Sequence, residues 1–328
     1  MPSIRLLAAR SATASAANRP VLRVVWAALC LATPSLGASA AAQSASQPAA
    51  LAESPTDIGA NLNISPKRLT LDRTQRSASV YIFNQGSASA TFDIGLVDRV
   101  MLPDGRIAPL DDSLTSEELT VAQRVASAKP MLVAAPRRVT LAPGKGQTIR
   151  VRVSPGAELV PAAEYRTHLT VTTVPPRDAG FTAEQAAALR PGELSFSIRS
   201  VFGVSIPIIV RFAEPQLAAA IENARLHTAN ISADGISAPR PTPVATLDVV
   251  RSGANSLFGD LEVVAHKGRA SEVIGAARGL GVYTEIERRT VQVPLGRAPR
   301  KGERLEVRFS DSDLAPGKLL AVGDLATP

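Results

Sequence analysis

Few residues in this chain have the types and spacings that catalysis requires. The three histidines, His168, His227 and His266, lie far apart, without a partner four residues away and without a carboxylate pattern around them. Metal-binding and catalytic histidines usually show such spacings. The acidic pairs at 111–112 and 117–118 fit solvated loops, and no phosphate-binding loop or Gly-x-Ser-x-Gly motif is present. The sequence therefore predicts no catalytic residue, no metal site and no cofactor, and it argues against an enzyme.

The first 42 residues have the composition of an export signal. They contain four arginines and no acid, followed by the apolar run VVWAALCLATPSLGASAAA, which closes on the small residues Ala40-x-Ala42. This order predicts a secretory signal peptide over residues 1–42, cut after Ala42. A transmembrane anchor is the alternative, but a proline and a glycine interrupt the run and it is short for a span.

Removal of this signal changes the chemistry that is available to the chain. The single cysteine, Cys30, leaves with the signal, so neither a disulfide nor a thiolate metal site is expected. Without the four arginines the formal net charge falls from +7 to +3, and a nucleic-acid partner loses its main support. Residues 43–58 are rich in Ser, Ala, Pro and Gln and predict a disordered lead-in.

The rest of the chain predicts an all-β protein. Short runs of alternating apolar and polar residues recur between turn signals, as in SVYIFN, TFDIGLV, QTIRVRV, ATLDVV and RLEVRF. Such spacing is typical of β-sandwiches. We expect two sandwiches in tandem, at 59–213 and 214–328, with short helical insertions at 115–125 and 182–189.

The stretch FSIRSVFGVSIPIIVRF, residues 196–212, combines features that are unusual in one strand. Nearly every second residue is apolar, which indicates a strand with one apolar face. Pro207 cannot donate a ladder hydrogen bond and therefore belongs on an edge strand. An apolar edge strand is a site at which another chain can add a strand of its own.

The sequence resembles the periplasmic pilus-assembly chaperones, a PapD-like family with two immunoglobulin-like domains. The matching segments are ISPKRLTLDRTQRSASVYIFNQG, AAPRRVTLAPGKGQTIRVRV, EYRTHLTVTTVPP and IPIIVRF, in this order across residues 60–212. Over 217–328 the resemblance rests on the β pattern, with DLEVV, VYTEIERRTVQVPL and LEVRFSDSD. The resemblance implies a chaperone that acts without a cofactor.

The resemblance also implies roles for individual residues. Arg68 matches the first-strand basic residue that binds the C-terminal carboxylate of a subunit. A further set matches the side chains that the chaperone donates to the incomplete sandwich of that subunit: Phe196, Ile198, Ser200, Phe202 and Val204. Glu164 and Arg211 match an ion pair between the domains, with Asp311 as its third member.

One position departs from the family pattern. Pro207 stands where the family has its second carboxylate-binding basic residue. Arg199 and Arg211 are substitutes by charge, but both lie on the opposite parity to the donated side chains. We therefore expect strand donation to contribute more to subunit binding than carboxylate capture.

The resemblance leads to a functional hypothesis with one rival. The hypothesis is a periplasmic chaperone that binds pilin-like or spore-coat-like secreted subunits by strand donation and delivers them to an outer-membrane usher, with no nucleic-acid partner and no stable membrane insertion. The rival is a secreted structural or adhesive two-sandwich protein in which the long strand is internal and paired on both sides.

Overall fold

The computed structural model describes residues 61–111, 113–154, 164–175, 201–232 and 235–326. In these ranges the chain is all-β and folds into two immunoglobulin-like β-sandwiches in tandem, which confirms the predicted fold class. The predicted signal peptide, the lead-in at 43–58 and the helical insertion at 182–189 lie outside the described residues.

The first sandwich packs two sheets around one apolar core. One sheet has the strand order β1-β3-β9-β7 and the other β2-β11-β10-β4-β8, while β5 and β6 form a separate hairpin. Alternate residues of both sheets fill the core, as Ile149 and Val151 do on β9. The strands are β1 (Leu62–Ser65), β2 (Leu69–Leu71), β3 (Ser77–Asn84), β4 (Ala90–Val97), β5 (Arg99–Met101), β6 (Ile107–Pro109), β7 (Leu132–Ala135), β8 (Arg138–Leu141), β9 (Gly146–Val153), β10 (Tyr165–Val174) and β11 (Gly203–Val210).

The helix α1, Ser116–Ala122, lies within the segment 115–125 that the sequence predicts to be helical. It begins with a capping box, in which the Thr115 hydroxyl accepts from the Glu118 amide and the Glu118 carboxylate accepts from the Thr115 amide. These bonds satisfy amides that have no partner inside the helix. A single turn of 3-10 helix, Lys129–Met131, precedes β7.

The second sandwich has sheets of strand order β12-β13-β16 and β15-β14-β17-β18. Its core includes Leu261 and Phe309, which are fully buried. Strand β15 contains a β-bulge, since its register with β14 shifts between Ala277 and Leu280, where Gly279 has a φ of +65°. The strands are β12 (Ala219–Ile231), β13 (Arg240–Arg251), β14 (Leu257–Lys267), β15 (Ala270–Val282), β16 (Arg288–Pro294), β17 (Arg304–Asp311) and β18 (Leu319–Leu325).

The end of β11 links the two sandwiches. Residues 211–218 connect β11 to β12, and the predicted boundary at 213/214 lies in this connection. Ile208 and Val210 of β11 point into the first core, whereas Ile209 packs in the core cluster of the second sandwich. Because successive side chains of a strand point to opposite faces, β11 is buried on both faces at this end.

Candidate functional site

Strand β11 has an open edge along about half of its length. On one side it pairs antiparallel with β10 along Gly203–Val210. On the other side it pairs in parallel with β2, but only over Ile208–Val210. Within the described ranges, the segment 203–207 therefore has no neighbouring strand on the β2 side.

Two hydrogen bonds fix the direction in which the backbone of β11 points. The Thr173 amide donates to the Phe202 carbonyl at 2.8 Å, so the backbone of Phe202 faces β10. The Arg211 amide donates to the Leu71 carbonyl at 2.9 Å, so the backbone of Arg211 faces β2. Since backbone groups along a strand alternate between the two edges, the even-numbered residues face β10 and the odd-numbered residues face the β2 side.

The backbone groups at the open edge are therefore those of Gly203, Ser205 and Pro207. Pro207 has no amide hydrogen, so it offers only its carbonyl. The amides of Gly203 and Ser205 are the donors of this edge. A second strand that approached here would find acceptors at all three residues and donors at two.

The side chains of the strand leave the core where the open edge begins. Ile206 and Ile208 are buried in the first core, and Val204 is half-buried against it. Phe202, on the same parity, is 47% exposed, and Val201 on the other parity is 57% exposed. Of the predicted strand-donating residues, the structure thus describes Phe202 as exposed and Val204 as a partial core residue, while Phe196, Ile198 and Ser200 lie outside the described residues.

A row of three residues crosses the sheet at the base of the open edge. Leu69 of β2 lies opposite Ile208, so Arg68 lies beside Pro207. On the other side, Pro207 lies opposite His168 of β10. Arg68 and His168 therefore flank the position at which the resemblance expects a second basic residue.

Arg68 contacts the second sandwich. Its Nη2 donates to Oδ2 of Asp313 at 3.1 Å, and its guanidinium carbon lies 4.5 Å from the centroid of the Phe258 ring. The side chain is only 10% exposed. The residue predicted to bind a ligand carboxylate thus binds a carboxylate of the protein itself.

His168 does not replace the second carboxylate-binding basic residue that the resemblance expects at Pro207. It is 3% exposed, and its Nδ1 lies 3.4 Å from Nη1 of Arg166. Burial, with further contributions from the charges of Arg166 and Arg99, lowers the pKa of His168 to about 3. The imidazole is therefore neutral at pH 7.

Arg166 forms a buried ion pair with the second sandwich. Its Nη2 donates to Oε1 of Glu285, and both side chains are almost fully buried. The Arg166 guanidinium also lies over the ring of Tyr283, 4.3 Å from its centroid, and Glu285 accepts the Met101 amide at 2.8 Å. These contacts join β10 of the first sandwich to the segment between β15 and β16 of the second.

Glu164 and Arg211, which the resemblance pairs, form a buried ion pair. Nε of Arg211 donates to Oε2 of Glu164 at 2.7 Å, and the same carboxylate oxygen accepts the Ser256 amide at 3.1 Å. Nη1 of Arg211 donates to Oδ2 of Asp313 at 2.7 Å. Burial alone would lower the pKa of Arg211, but the carboxylates of Glu164 and Asp313 outweigh it and raise this pKa above its ordinary value.

The assignment of Asp311 as the third member of this network is wrong. Within the described residues Asp311 forms no ion pair with Arg211, and its carboxylate accepts the amides of Asp313, Leu314 and Ala315 at 2.9, 3.2 and 2.7 Å. Asp311 thereby orders the turn after β17. This turn directs Asp313, two residues later, towards Arg211 and Arg68.

Sequence reasoning also missed the Arg166–Glu285 pair. A signal was available, because Glu164, Arg166 and His168 alternate at the start of β10 and so share one face of the sheet. Three ionisable residues on one face of a strand indicate a polar or paired surface. The partner Glu285 has no such pattern around it and becomes evident only when the two sandwiches are in contact.

Neither a metal-binding cluster nor a membrane-spanning helix is found in the ranges that the structure describes. No group of three or more His, Cys, Asp or Glu side chains is arranged to hold a metal ion there. Helices long and apolar enough to cross a membrane are also absent from these ranges.

A comparison with models of known protein families and with curated protein sequences finds no match. Solved structures that are similar to this chain include chaperones of pili and fimbriae. The E. coli chaperone DraB has a TM-score of 0.38 at 10% identity, covering 82% of this chain and 97% of its own. The Pseudomonas aeruginosa CupB2 chaperone has a TM-score of 0.38 at 12% identity, covering 81% and 100%. The CsuC-CsuE chaperone-tip adhesion subunit complex of Acinetobacter baumannii has a TM-score of 0.37 at 12% identity, covering 81% and 98%.

Proposed function

We propose that this protein is a periplasmic chaperone that binds incomplete, pilin-like secreted subunits through the open edge of β11 and delivers them to an outer-membrane usher. The observation that carries the proposal is the edge of β11 over 203–207, which has no partner strand on the β2 side within the described ranges, with the exposed Phe202 just before it. The signal-like residues 1–42 and the sequence resemblance support the compartment and the class of partner.

The open edge has the chemistry that strand addition needs. Backbone amides and carbonyls of Gly203 and Ser205 are available for ladder hydrogen bonds to an extended segment of another chain. Each such bond contributes about 0.5–1.5 kcal/mol net. The side chain of Phe202 can fill a gap in the core of the partner, which contributes about 1.5–3 kcal/mol when it is fully buried. A subunit that lacks a strand would be stabilised both by the ladder hydrogen bonds and by the burial of the Phe202 side chain.

Pro207 restricts the part of β11 with which an added strand can pair. An exposed apolar edge strand invites unwanted association, and proline is one device that restricts it. Here the proline removes one donor just before β2 takes over the edge at Ile208. An added strand therefore finds its best partners between Phe202 and Ser205, at the end of β11 that points away from the connection to the second sandwich.

The buried ion pairs support a fixed binding surface. Arg166 with Glu285, and Arg211 with Glu164 and Asp313, join the two sandwiches through side chains that are largely shielded from water. Surface ion pairs contribute about 0–1 kcal/mol, but breaking a buried pair costs about 3–5 kcal/mol. The two sandwiches then keep one relative orientation while a subunit binds beside β11.

The proposal is tested by co-expressing the exported protein in a periplasm with small secreted subunits encoded beside its gene. Wild type is compared with Phe202→Asp, and Val201→Asp serves as the matched control because it is the neighbouring exposed residue on the opposite parity. We expect wild type and Val201→Asp to retain a stoichiometric subunit and Phe202→Asp to lose it. Circular dichroism and the midpoint of urea unfolding establish that each variant is folded.

Three results would contradict the proposal. Recovery of no subunit by wild type, from a strain in which the subunits are expressed, would favour the secreted structural protein. Equal loss of the subunit in both variants would mean that added charge, and not the parity of the donated side chain, disrupts the complex. Equal retention in both variants would assign β11 to the protein's own core alone.

A further inference from the structure

The hairpin β5–β6 belongs to the first sandwich along the chain, but one of its side chains belongs to the core of the second. Met101 is 3% exposed and packs in the core cluster of the second sandwich, where its Cε lies beside Gly281 of β15. Val100 and Leu102, on the opposite parity, are buried in a small cluster that the hairpin shares with α1. Because successive side chains of a strand point to opposite faces, β5 packs on its own helix with one face and on the second sandwich with the other.

Two backbone hydrogen bonds attach the hairpin to the second sandwich. The Met101 amide donates to Oε1 of Glu285 at 2.8 Å, and the carbonyl of Pro103 accepts from the Thr290 amide of β16 at 2.9 Å. Both groups lie in β5 or in the turn that follows it. The hairpin therefore bonds to the segment before β16 and to β16 itself.

The Thr290 amide lies on the outer edge of β16. Within the described ranges β16 pairs with β13 alone, so it is an edge strand of its sheet. The Leu295 amide donates to Pro243 of β13 at 2.8 Å, which shows that odd-numbered residues of this segment face β13. Since backbone groups alternate between the two edges of a strand, the even-numbered residues face outwards.

Three features close this outer edge. The hairpin supplies an acceptor for the Thr290 amide, Pro294 has no amide hydrogen, and the Gly296 amide donates to the Ile274 carbonyl of β15 at 2.7 Å. Among the described residues, the amide of Gln292 has no hydrogen-bond partner. Proteins commonly protect edge strands with prolines and with covering segments, because an open edge pairs with other chains. The edge of β16 is thus covered where that of β11 is open over 203–207.

We propose that the β5–β6 hairpin is an edge guard for the second sandwich, anchored by Met101, and that it prevents β16 from pairing with β16 of a second copy of this chain. The guard and the strand it covers come from different sandwiches, so the closure forms only in the folded two-sandwich protein. The inference does not depend on the proposed function, because it concerns an edge other than that of β11.

The first test measures amide hydrogen exchange by NMR in the mature full-length protein, comparing Met101→Ala with wild type. Ile82→Ala is the matched control, since it removes a large buried side chain from the first core instead of the second. Thr290 faces the hairpin and Val291 faces β13, so the ratio of their exchange rates reports detachment of the hairpin and is insensitive to global unfolding, which exposes both amides.

In wild type, Thr290 should be protected like Val291, and Gln292 should exchange rapidly. In Met101→Ala we expect Thr290 to exchange at least about tenfold faster relative to Val291, whereas Ile82→Ala should keep the wild-type ratio. If Met101→Ala is unfolded, Met101→Val provides a smaller truncation. A Thr290 amide as exposed as that of Gln292 in wild type, or an unchanged ratio in the Met101 variant, would overturn the anchoring of the hairpin.

The second test measures self-association by sedimentation equilibrium, with Phe202→Asp present in every protein so that the start of the β11 edge is charged. The Met101→Ala protein should associate about tenfold more tightly than the Ile82→Ala protein, because its β16 edge is open. Equal association of the two proteins would reject the guard function. Neither result bears on whether a subunit binds at β11, which the comparison of Phe202→Asp with Val201→Asp decides separately.

Discussion

Acidification should destabilise this protein through His168 before its carboxylates begin to titrate. In the folded protein the imidazole is buried beside Arg166 and near Arg99, and its pKa is lowered to about 3. In the unfolded chain the pKa is about 6.5. The unfolded state therefore binds more protons below pH 6.5, so stability is lost as the pH falls through that value and continues to fall until the pKa of the folded state is reached.

The size of the effect follows from the two pKa values. Between about pH 7 and about pH 5, this position in the unfolded state goes from about one-quarter to almost fully protonated while the folded state stays neutral, and the resulting loss of stability is about 2 kcal/mol. Most small domains have stabilities of about 5–15 kcal/mol. This single group thus removes a measurable fraction of the total before the pH reaches the range of ordinary carboxylates.

Urea unfolding of wild type and His168→Gln, followed by circular dichroism at about pH 7 and about pH 5, measures this contribution. Wild type should lose about 2 kcal/mol more than the variant on acidification. The carboxylates titrate alike in both proteins, so the difference between them isolates His168. An equal pH dependence in the two proteins, or an NMR titration in which His168 of the folded protein protonates near pH 6.5, would refute the reasoning.

Two ion pairs give further predictions. Arg166→Met leaves the buried Glu285 without its cation and should reduce the free energy of unfolding by about 3–5 kcal/mol. The double variant Arg166→Met/Glu285→Gln should recover most of this loss, as measured by urea unfolding. A double variant as unstable as the single variant would contradict this prediction. Arg297 donates two hydrogen bonds to Glu303, whose pKa is lowered to about 2. Arg297→Met should raise that pKa towards its ordinary value in a carbon-13 NMR titration, and an unchanged titration would assign the low pKa to the Arg300 amide instead.

The β pattern is the part of this protein that the sequence determined. Alternation of apolar and polar residues requires no distant contact, because it reflects only which side chains of a strand face a core. The segments SVYIFN, QTIRVRV and RLEVRF are accordingly strands β3, β9 and β17. The helix within 115–125 was likewise predicted from the sequence alone.

The pairing of the edge strand depended on tertiary structure. The stretch 196–212 reads as one continuous alternating strand, but β2 covers its far end and leaves 203–207 open within the described residues. Sequence alternation states which face of a strand is apolar, but it cannot state where a neighbouring strand stops. In the folded protein β2 begins only at Leu69, opposite Ile208 of β11.

Charge pairing between the sandwiches also required the tertiary structure. Asp311 and Asp313 are two residues apart in FSDSD, and either carboxylate could by sequence meet Arg211. The geometry of the turn makes Asp311 an acceptor for backbone amides and directs Asp313 towards Arg68 and Arg211. The sequence by itself determined which residues are charged and which strands they occupy. Only the folded structure decided their partners, because an ion pair depends on the distance between side chains that are far apart in the chain.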